Sequence, residues 1–455
     1  MNNQTVSVNL RELVLSLLME VYAQKEFSHI LLHRVLDKYD YLTAKEKAFI
    51  KRLTEGTLER TLELDYIIDQ YSKVKVRKMK PLIRALLRMS VYQLMYMDAV
   101  PDSAVCNEAV KLAVKHKFSS LKGFVNGVLR TIARNKERIS YPGEEEQRAQ
   151  YLSVRFSMPL WLVEHFEQEY TQEKTQQMLS AFLKEASVTI RLKEELEDKC
   201  IQELEERWQA QGIKINPHPY LSYARRCERV EGLTRMEGFR QGWFTVQDVS
   251  SMLVTQTAGI RQGMNILDVC AAPGGKATHA AQKLKGSGLV LARDISEEKV
   301  ELIWENAHRQ QISNLQAEVW DALCPDEGKT AWADVLFCDL PCSGLGIMGK
   351  KKDIKYRITP ESIEELVRLQ QKILSVVWTY VKPGGIMMYS TCTINRKENE
   401  EQVRWITDQL PFEVVSMKEE LPQALKKEEG AFGLQLIPGI HETDGFFFAK
   451  LQRRE

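Results

Sequence analysis

Leu10, Leu13, Val14, Leu17, Leu18 and Val21 recur at intervals of three and four, which marks one buried face of a helix. Stripes of the same period return at Phe49, Leu53 and Thr57, at Leu82, Leu86 and Met89, and at Ala109, Leu112 and Ala113, so residues 7 to about 138 are predicted as all helix. Thr43 followed by Glu46 predicts a capping box, and Pro81 and Pro101 suit helix starts or connections. Tyr141-Pro142-Gly143, followed by Glu144-Glu145-Glu146, breaks the period and predicts a linker. Beyond Tyr151 the pattern is mixed. Helices are expected over 161–170, 171–183 and 194–211, with extended pieces over 187–192, 213–216 and 242–246, a small βαβ-like module that spaces its neighbours.

From Asn265 onward the period alternates. Short apolar runs at 266–269, 289–292, 316–319, 335–338, 385–389, 412–415 and 446–450 are separated by helical stretches at 278–284, 297–309, 361–381 and 397–409. Such alternation predicts a parallel sheet wrapped on both faces by helices, with the last run a candidate to return antiparallel. The fold class is therefore α/β, preceded by an all-α domain and a small α+β module. The expected divisions are 1–140, 141–240 and 241–455.

Composition narrows this little. Over 455 residues, 44% hydrophobic and 27% charged, the chain is an ordinary globular protein of two or three domains. A net charge of +1 gives no global field for nucleic acid, so any such surface must be local. Two basic runs qualify: 73–88, with seven Lys and Arg, and 111–122. Eight cysteines without a Cys-x-x-Cys pair suggest free thiols in a reducing compartment and no zinc. Residues 1–10 lack a secretory pattern and no apolar run is long enough to span a bilayer, so a cytoplasmic protein without membrane or metal is expected, as a monomer.

The chain is organised around Asn265-Ile266-Leu267-Asp268-Val269-Cys270-Ala271-Ala272-Pro273-Gly274-Gly275-Lys276. A strand ends at Asp268, the glycines bare the backbone, and a helix starts with its N-terminus facing whatever the turn cradles. Asp294 ends the next strand, where an acidic residue holds a nucleotide ribose; the glycine spacing disfavours a dinucleotide. Asp268, Asp294, Asp321, Asp339 and Cys392 all close strands, and ligands on such sheets bind at those ends. Cys342, after Asp339-Leu340-Pro341, and Cys392, after Tyr389-Ser390-Thr391, are candidate nucleophiles. Cys106, Cys200, Cys227, Cys324 and Cys338 read as buried small apolar residues.

The segments Cys270–Lys276, Asp339–Gly344 and Ser390–Thr393 resemble the motifs of the RNA cytosine-C5 methyltransferases, in the same order and spacing. Lys122-Gly123-Phe124-Val125-Asn126-Gly127-Val128-Leu129-Arg130 resembles the signature of NusB-like RNA-binding helical domains. With Gly242-Trp243-Phe244-Thr245-Val246-Gln247-Asp248, nearly the whole chain is similar to bacterial 16S ribosomal RNA methyltransferases of the Sun (RsmB) type. The resemblance implies a Rossmann-like sheet, S-adenosylmethionine as cofactor and 16S ribosomal RNA as partner. It implies that Cys392 adds to cytosine C6, that Asp339 binds the base edge near N3, and that Cys342 helps remove the C5 proton. The turn Cys270, Ala271, Ala272, Pro273, Gly274, Gly275 and Lys276 would hold the methionine end, Asp294 the ribose and Asp321 the adenine side, with Asp339 closing the site. The target base must be single-stranded or flipped. Two departures stand out. Leu340 replaces the family's usual alanine, and Lys350-Lys351-Lys352 replaces an Arg-rich loop, with phosphate contact expected to survive. Alternatives are the same fold acting on another RNA, a small molecule or a protein, and a non-catalytic NusB-like RNA-binding or antitermination factor.

Overall fold

The computed structural model describes residues 8–23, 26–184, 187–228, 230 and 232–455. Most of the N-terminal stretch 1–10 thus lies outside the described residues. The chain forms two compact units, 1–184 with 348–357, and 185–347 with 358–455. The expected divisions at 140 and 240 fall inside these units.

The first unit is helical: α1 Leu10–Tyr22, α2 Ser28–Lys38, α3 Ala44–Glu59, α4 Thr61–Tyr71, α5 Pro81–Tyr96, α6 Asp102–Lys115, α7 Lys122–Arg134, α8 Arg148–Arg155, α9 Leu160–Glu169 and α10 Gln172–Phe182. Thr43 and Glu46 form the reciprocal capping box that starts α3, and Pro81 occupies the first turn of α5. Every residue of α5 from Ala85 to Leu94 is buried, so this helix is the centre of the bundle. Gly56 of α3 permits its close approach, because a Cβ there would lie 2.0 Å from the Tyr92 ring. The linker expected at 141–146 is followed at once by α8, which the polar sequence around Leu152 and Val154 conceals.

Residues 348–357 belong to this helical unit. Phe27 precedes α2 and offers no side-chain cap. Asp353 supplies one: Ser28 N donates to its Oδ2 at 3.1 Å and Ser28 Oγ to its Oδ1 at 2.6 Å. Lys352 pairs with Glu59, and Lys355 Nζ donates to the Glu59 carbonyl at 2.8 Å. Burial pulls Lys355 down to about 7. The expected phosphate contact through Lys352 is thereby corrected: its charge is satisfied by Glu59, and its side chain is 14% exposed.

The second unit holds two sheets. The smaller contains β1 Val188–Leu192, β2 Lys214–Pro217, β3 Ala224–Glu228 and β4 Phe244–Val246, in the order β2-β3-β1-β4, with α11 Asp198–Ala210 between β1 and β2. Strand β3 is antiparallel to both β1 and β2, so β1-α11-β2 is a split form of the expected βαβ unit. The larger contains β5 Asn265–Asp268, β6 Leu289–Asp294, β7 Leu315–Val319, β8 Ala333–Asp339, β9 Val381–Thr391, β10 Phe412–Val414, β11 Leu434–Leu436 and β12 Phe446–Arg453. Its order is β10-β12-β9-β8-β5-β6-β7, with β11 on β12. Pairings from β9 to β7 are parallel, and β12 returns antiparallel against β9. The sheet's helices are α12 Val249–Thr257, α13 Gly275–Lys283, α14 Glu297–Arg309, α15 Pro360–Val377 and α16 Glu400–Gln409. Ile266, Leu267, Val335, Leu336, Phe337 and Cys338 are all at most 1% exposed, as befits strands covered on both faces. The fold class is thus α/β, a largely parallel sheet covered by helices, preceded in the chain by an all-α domain. Among the described residues no helix is long and apolar enough to cross a membrane.

Candidate active site

Adjacent strands β7, β6, β5, β8 and β9 align their carboxyl ends along one edge. Asp294, Asp268 and Asp339 are the last residues of β6, β5 and β8; Asp321 lies two residues past β7 and Cys392 one past β9. The five strand-end residues therefore share one edge because the strand order places β5 between β6 and β8.

The turn after β5 carries Cys270 to Lys276. Gly274 has φ of +98°, a left-handed conformation that admits glycine readily, and α13 begins at Gly275. Ala272 N donates to Asp294 Oδ2 at 3.0 Å, and Cys270 N to Asp268 Oδ1 at 3.4 Å, so both strand-end carboxylates fasten the turn. Asp294 Oδ1 accepts from Ile295 N at 2.8 Å and from Lys299 Nζ at 2.9 Å. Oδ2 keeps a free acceptor direction for a ribose hydroxyl. Asp268 is buried, and desolvation pushes its carboxyl up to about 7 against the pull of Lys276. Asp321 accepts from Leu323 N at 2.9 Å.

From the other side the turn is braced by Arg191 of β1. Its guanidinium is fully buried and donates to the Gly275 carbonyl at 3.0 Å, Gln247 Oε1 at 2.6 Å, Thr278 Oγ1 at 3.3 Å and Gln310 Oε1 at 3.1 Å. The small sheet, expected as a spacer, thus holds the cofactor turn directly.

The residues present fit S-adenosylmethionine. The glycine turn bares backbone for a small polar tail, and Asp294 stands where hydroxyls bind. Large apolar side chains are exposed beside it: Ile295 at 61%, Val319 at 45% and Leu323 at 40%. Val319 pairs with Asp294 across the sheet. Exposed apolar surface flanking two carboxylates suits a flat heterocycle with ribose hydroxyls and an exocyclic amine.

Cys342 Sγ and Cys392 Sγ lie 3.3 Å apart. Their shared hydrogen bond and burial push the Cys342 thiol well above its ordinary range, and either sulfur can donate in the contact. Asp339 accepts from Lys276 Nζ at 2.6 Å and from Ser390 Oγ at 2.8 Å. The Lys276 side chain therefore faces Asp339, and its ammonium lies 5.3 Å from the Phe446 ring centre. Leu340 is 3% exposed and packs with Leu267 and Met387 in the core, so the bulk at this position points away from the strand-end edge.

Among the remaining cysteines, Cys106, Cys227 and Cys338 are buried as expected. Cys200 and Cys324 are exposed, correcting their assignment as core residues: one lies on the charged face of α11, the other in the open turn after β7. Residue types alone missed Arg191, Ser343, Gln370 and Glu398 around this site. Nothing local marked the last: Glu398 lies in the turn before α16 and is buried.

Residues 256–452 match the family described as 16S rRNA methyltransferase RsmB/F, and residues 8–134 match the NusB family. The chain is 32% identical over 98% of its length, and 99% of the relative's, to a protein of Bacillus subtilis named probable ribosomal RNA small subunit methyltransferase B. A Synechocystis protein of the same name is 30% identical over 98% of this chain and all of its own. Among solved structures, that of PH0851 shares the fold at a TM-score of 0.78 and 23% identity, covering 98% of this chain and all of that one. The chain belongs to the RsmB/F family of 16S ribosomal RNA methyltransferases, S-adenosylmethionine-dependent enzymes, and joins its catalytic sheet to a NusB-like helical domain.

Proposed function

We propose that the enzyme methylates C5 of a cytosine in 16S ribosomal RNA through a covalent bond between Cys392 and C6 of the base. The observation that carries this is the 3.3 Å contact of two strand-end thiols beside Asp339. Cytosine C5 is a poor nucleophile. Addition of the Cys392 thiolate at C6 makes C5 enamine-like, and C5 then takes the methyl group. S-Adenosylmethionine supplies that methyl as an electrophilic sulfonium.

The chain's own groups account for the other steps. Cys392, in contact with the Cys342 thiol at 3.3 Å, attacks as the thiolate. Asp339, oriented by Lys276 and Ser390, meets the base edge near N3 and stabilises charge as the adduct forms. Cys342 then helps to pass the C5 proton to solvent, directly or through water. The C6–S bond then breaks, its electrons return to sulfur, and the product aromatises. Cys270 to Lys276, Asp294 and Asp321 hold the cofactor, and the base enters single-stranded or flipped out. Residues 1–140 add RNA affinity without chemistry, 141–240 link and, through Arg191, brace the glycine turn, and 241–455 catalyse, in a cytoplasmic monomer.

Denaturing gel electrophoresis of each cysteine variant with RNA and S-adenosylmethionine tests this. Cys392→Ala should give neither adduct nor methylation. Cys342→Ala should accumulate a slow band of enzyme joined to RNA, because elimination stalls. A band from Cys392→Ala instead would reverse the two roles, and full activity of both variants would end the thiol mechanism.

A further inference from the structure

Glu398 lies in the turn before α16 and has no exposed surface. Its carboxylate accepts from Ser343 N at 2.8 Å, Ser343 Oγ at 2.5 Å, Asn395 Nδ2 at 3.0 Å and Gln370 Nε2 at 3.2 Å. Two of these donors belong to the residue after Cys342. Gln370 also donates to the carbonyl of Pro341, the residue before Cys342, at 2.9 Å. The backbone on both sides of Cys342 is therefore fixed to one buried network.

The same network reaches Cys392. Ser343 Oγ lies 2.8 Å from Thr393 Oγ1, the hydroxyl next to Cys392 in sequence. Tyr389, three residues before Cys392, donates its hydroxyl to the Glu398 carbonyl at 2.5 Å. Gly346 N donates to the Cys392 carbonyl at 3.0 Å, and a Cβ on Gly346 would lie 1.9 Å from the Gly445 carbonyl, so the loop has no lateral room. Two loops from different strands are thus joined through a single acidic side chain. A buried carboxylate is costly unless its acceptors are filled, and burial does raise the proton affinity of Glu398. A hydrophobic residue would pack the same space at lower cost, so retaining the acid points to a requirement for its geometry.

We infer that Glu398 is a positioning residue that sets Cys342 against Cys392. It touches neither base nor cofactor; it acts by fixing Ser343, and through Gln370 and Pro341 both flanks of Cys342. The inference rests on the proposed roles of the two cysteines.

The test uses the full-length enzyme and Glu398→Gln, which keeps the shape but offers one acceptor oxygen where the carboxylate offers two. At least one of the four donors then loses its partner. Turnover should fall about 10–100-fold, while KM for RNA and affinity for S-adenosylmethionine stay within about twofold. The variant should also accumulate the slow covalent RNA band, a milder copy of Cys342→Ala. Ser343→Ala keeps the acid and removes one of its donors; it should shift turnover the same way by a smaller factor, and decides the matter if Glu398→Gln does not fold. Wild-type turnover without a covalent band overturns the inference, as does a loss matched by weaker cofactor binding or a lowered melting temperature. Methylation by Cys392→Ala would instead remove the reading of the cysteines, and that variant alone reports it.

Discussion

Lys276 Nζ stands 2.6 Å from one oxygen of Asp339, while Ser390 Oγ donates to the other at 2.8 Å. One residue comes from the glycine turn after β5 and the other from the end of β8, three residues before Cys342. The pair couples the two halves of the site electrostatically. Lys276→Met should leave Asp339 held by Ser390 alone and free to turn. Turnover should drop by about 100-fold, the scale of losing one donor to a charge that acts in the reaction. Single-turnover methylation at saturating RNA and cofactor measures it; a loss below about threefold would reduce Lys276 to a backbone role in the turn.

Asp294 fixes Ala272 and faces the proposed ribose position. Asp294→Ala should weaken S-adenosylmethionine binding by about tenfold or more, because a hydrogen bond to a charged group contributes roughly 1.5–3 kcal/mol. Calorimetry without RNA is the measurement. Unchanged affinity would take Asp294 out of the site.

His279 of α13 is fully buried beside Tyr223, with Nε2 3.5 Å from Glu194 Oε1. Desolvation pulls its pKa down to about 3, with the nearby Arg191 cation acting in the same sense. The unfolded chain binds a proton there near pH 6.5 and the folded chain does not, so stability is full above about pH 6.5 and declines towards pH 3. Between pH 7 and pH 5 this group alone should remove about 2 kcal/mol. Glu194, lowered to about 2 first by its bond to His279, adds a further decline below its ordinary carboxylate range. Urea unfolding at both pH values should show the loss in the wild type and a smaller one in His279→Leu. Equal losses would place the acid sensitivity elsewhere.

The exposed face of α7 carries Lys122, Gly123, Gly127, Arg130, Thr131 and Arg134. A Cβ on Gly123 or Gly127 would meet nothing within 4 Å, so packing does not call for either glycine, and each costs about 1 kcal/mol in helix propensity. A flat cationic strip suits an RNA backbone. Replacing Lys122, Arg130 and Arg134 by Ala should weaken binding to 16S RNA and flatten its salt dependence by about two in the log–log slope. Filter binding across a salt series measures it, and an unchanged slope would make the strip merely solvated. The basic run at 73–88 contributes less than its charge suggests, since Arg88 is bound to Asp65 at 2.6 Å.

The strand ends were legible because an apolar run closed by a polar residue is a local pattern: Asp268, Asp294 and Asp339 terminate β5, β6 and β8 as expected. The alternation also revealed every strand of the large sheet except β11, whose three residues Leu434–Leu436 are too short to show a period. Strand β3 was hidden because only Ala224 and Cys227 of its five residues are buried, while the charged Arg225, Arg226 and Glu228 are half-buried. The site's braces were illegible for another reason. Arg191 meets Gly275 from 84 residues away, and Glu398 meets Ser343 across 55. Nothing near either residue in sequence names its partner.

Asp353 is made 325 residues after Ser28, the helix start that it caps. At translation speeds of about 5–20 residues per second, α2 waits roughly 15–65 s for that carboxylate, and Glu59 waits as long for Lys352. The helical bundle emerges first from the ribosome but is completed by a segment that emerges after β5 to β8, the first four of the large sheet's eight strands. An N-terminal fragment cut at residue 140 is consequently an unfinished bundle, one that lacks the N-terminal cap of α2 and the Lys352 partner of Glu59.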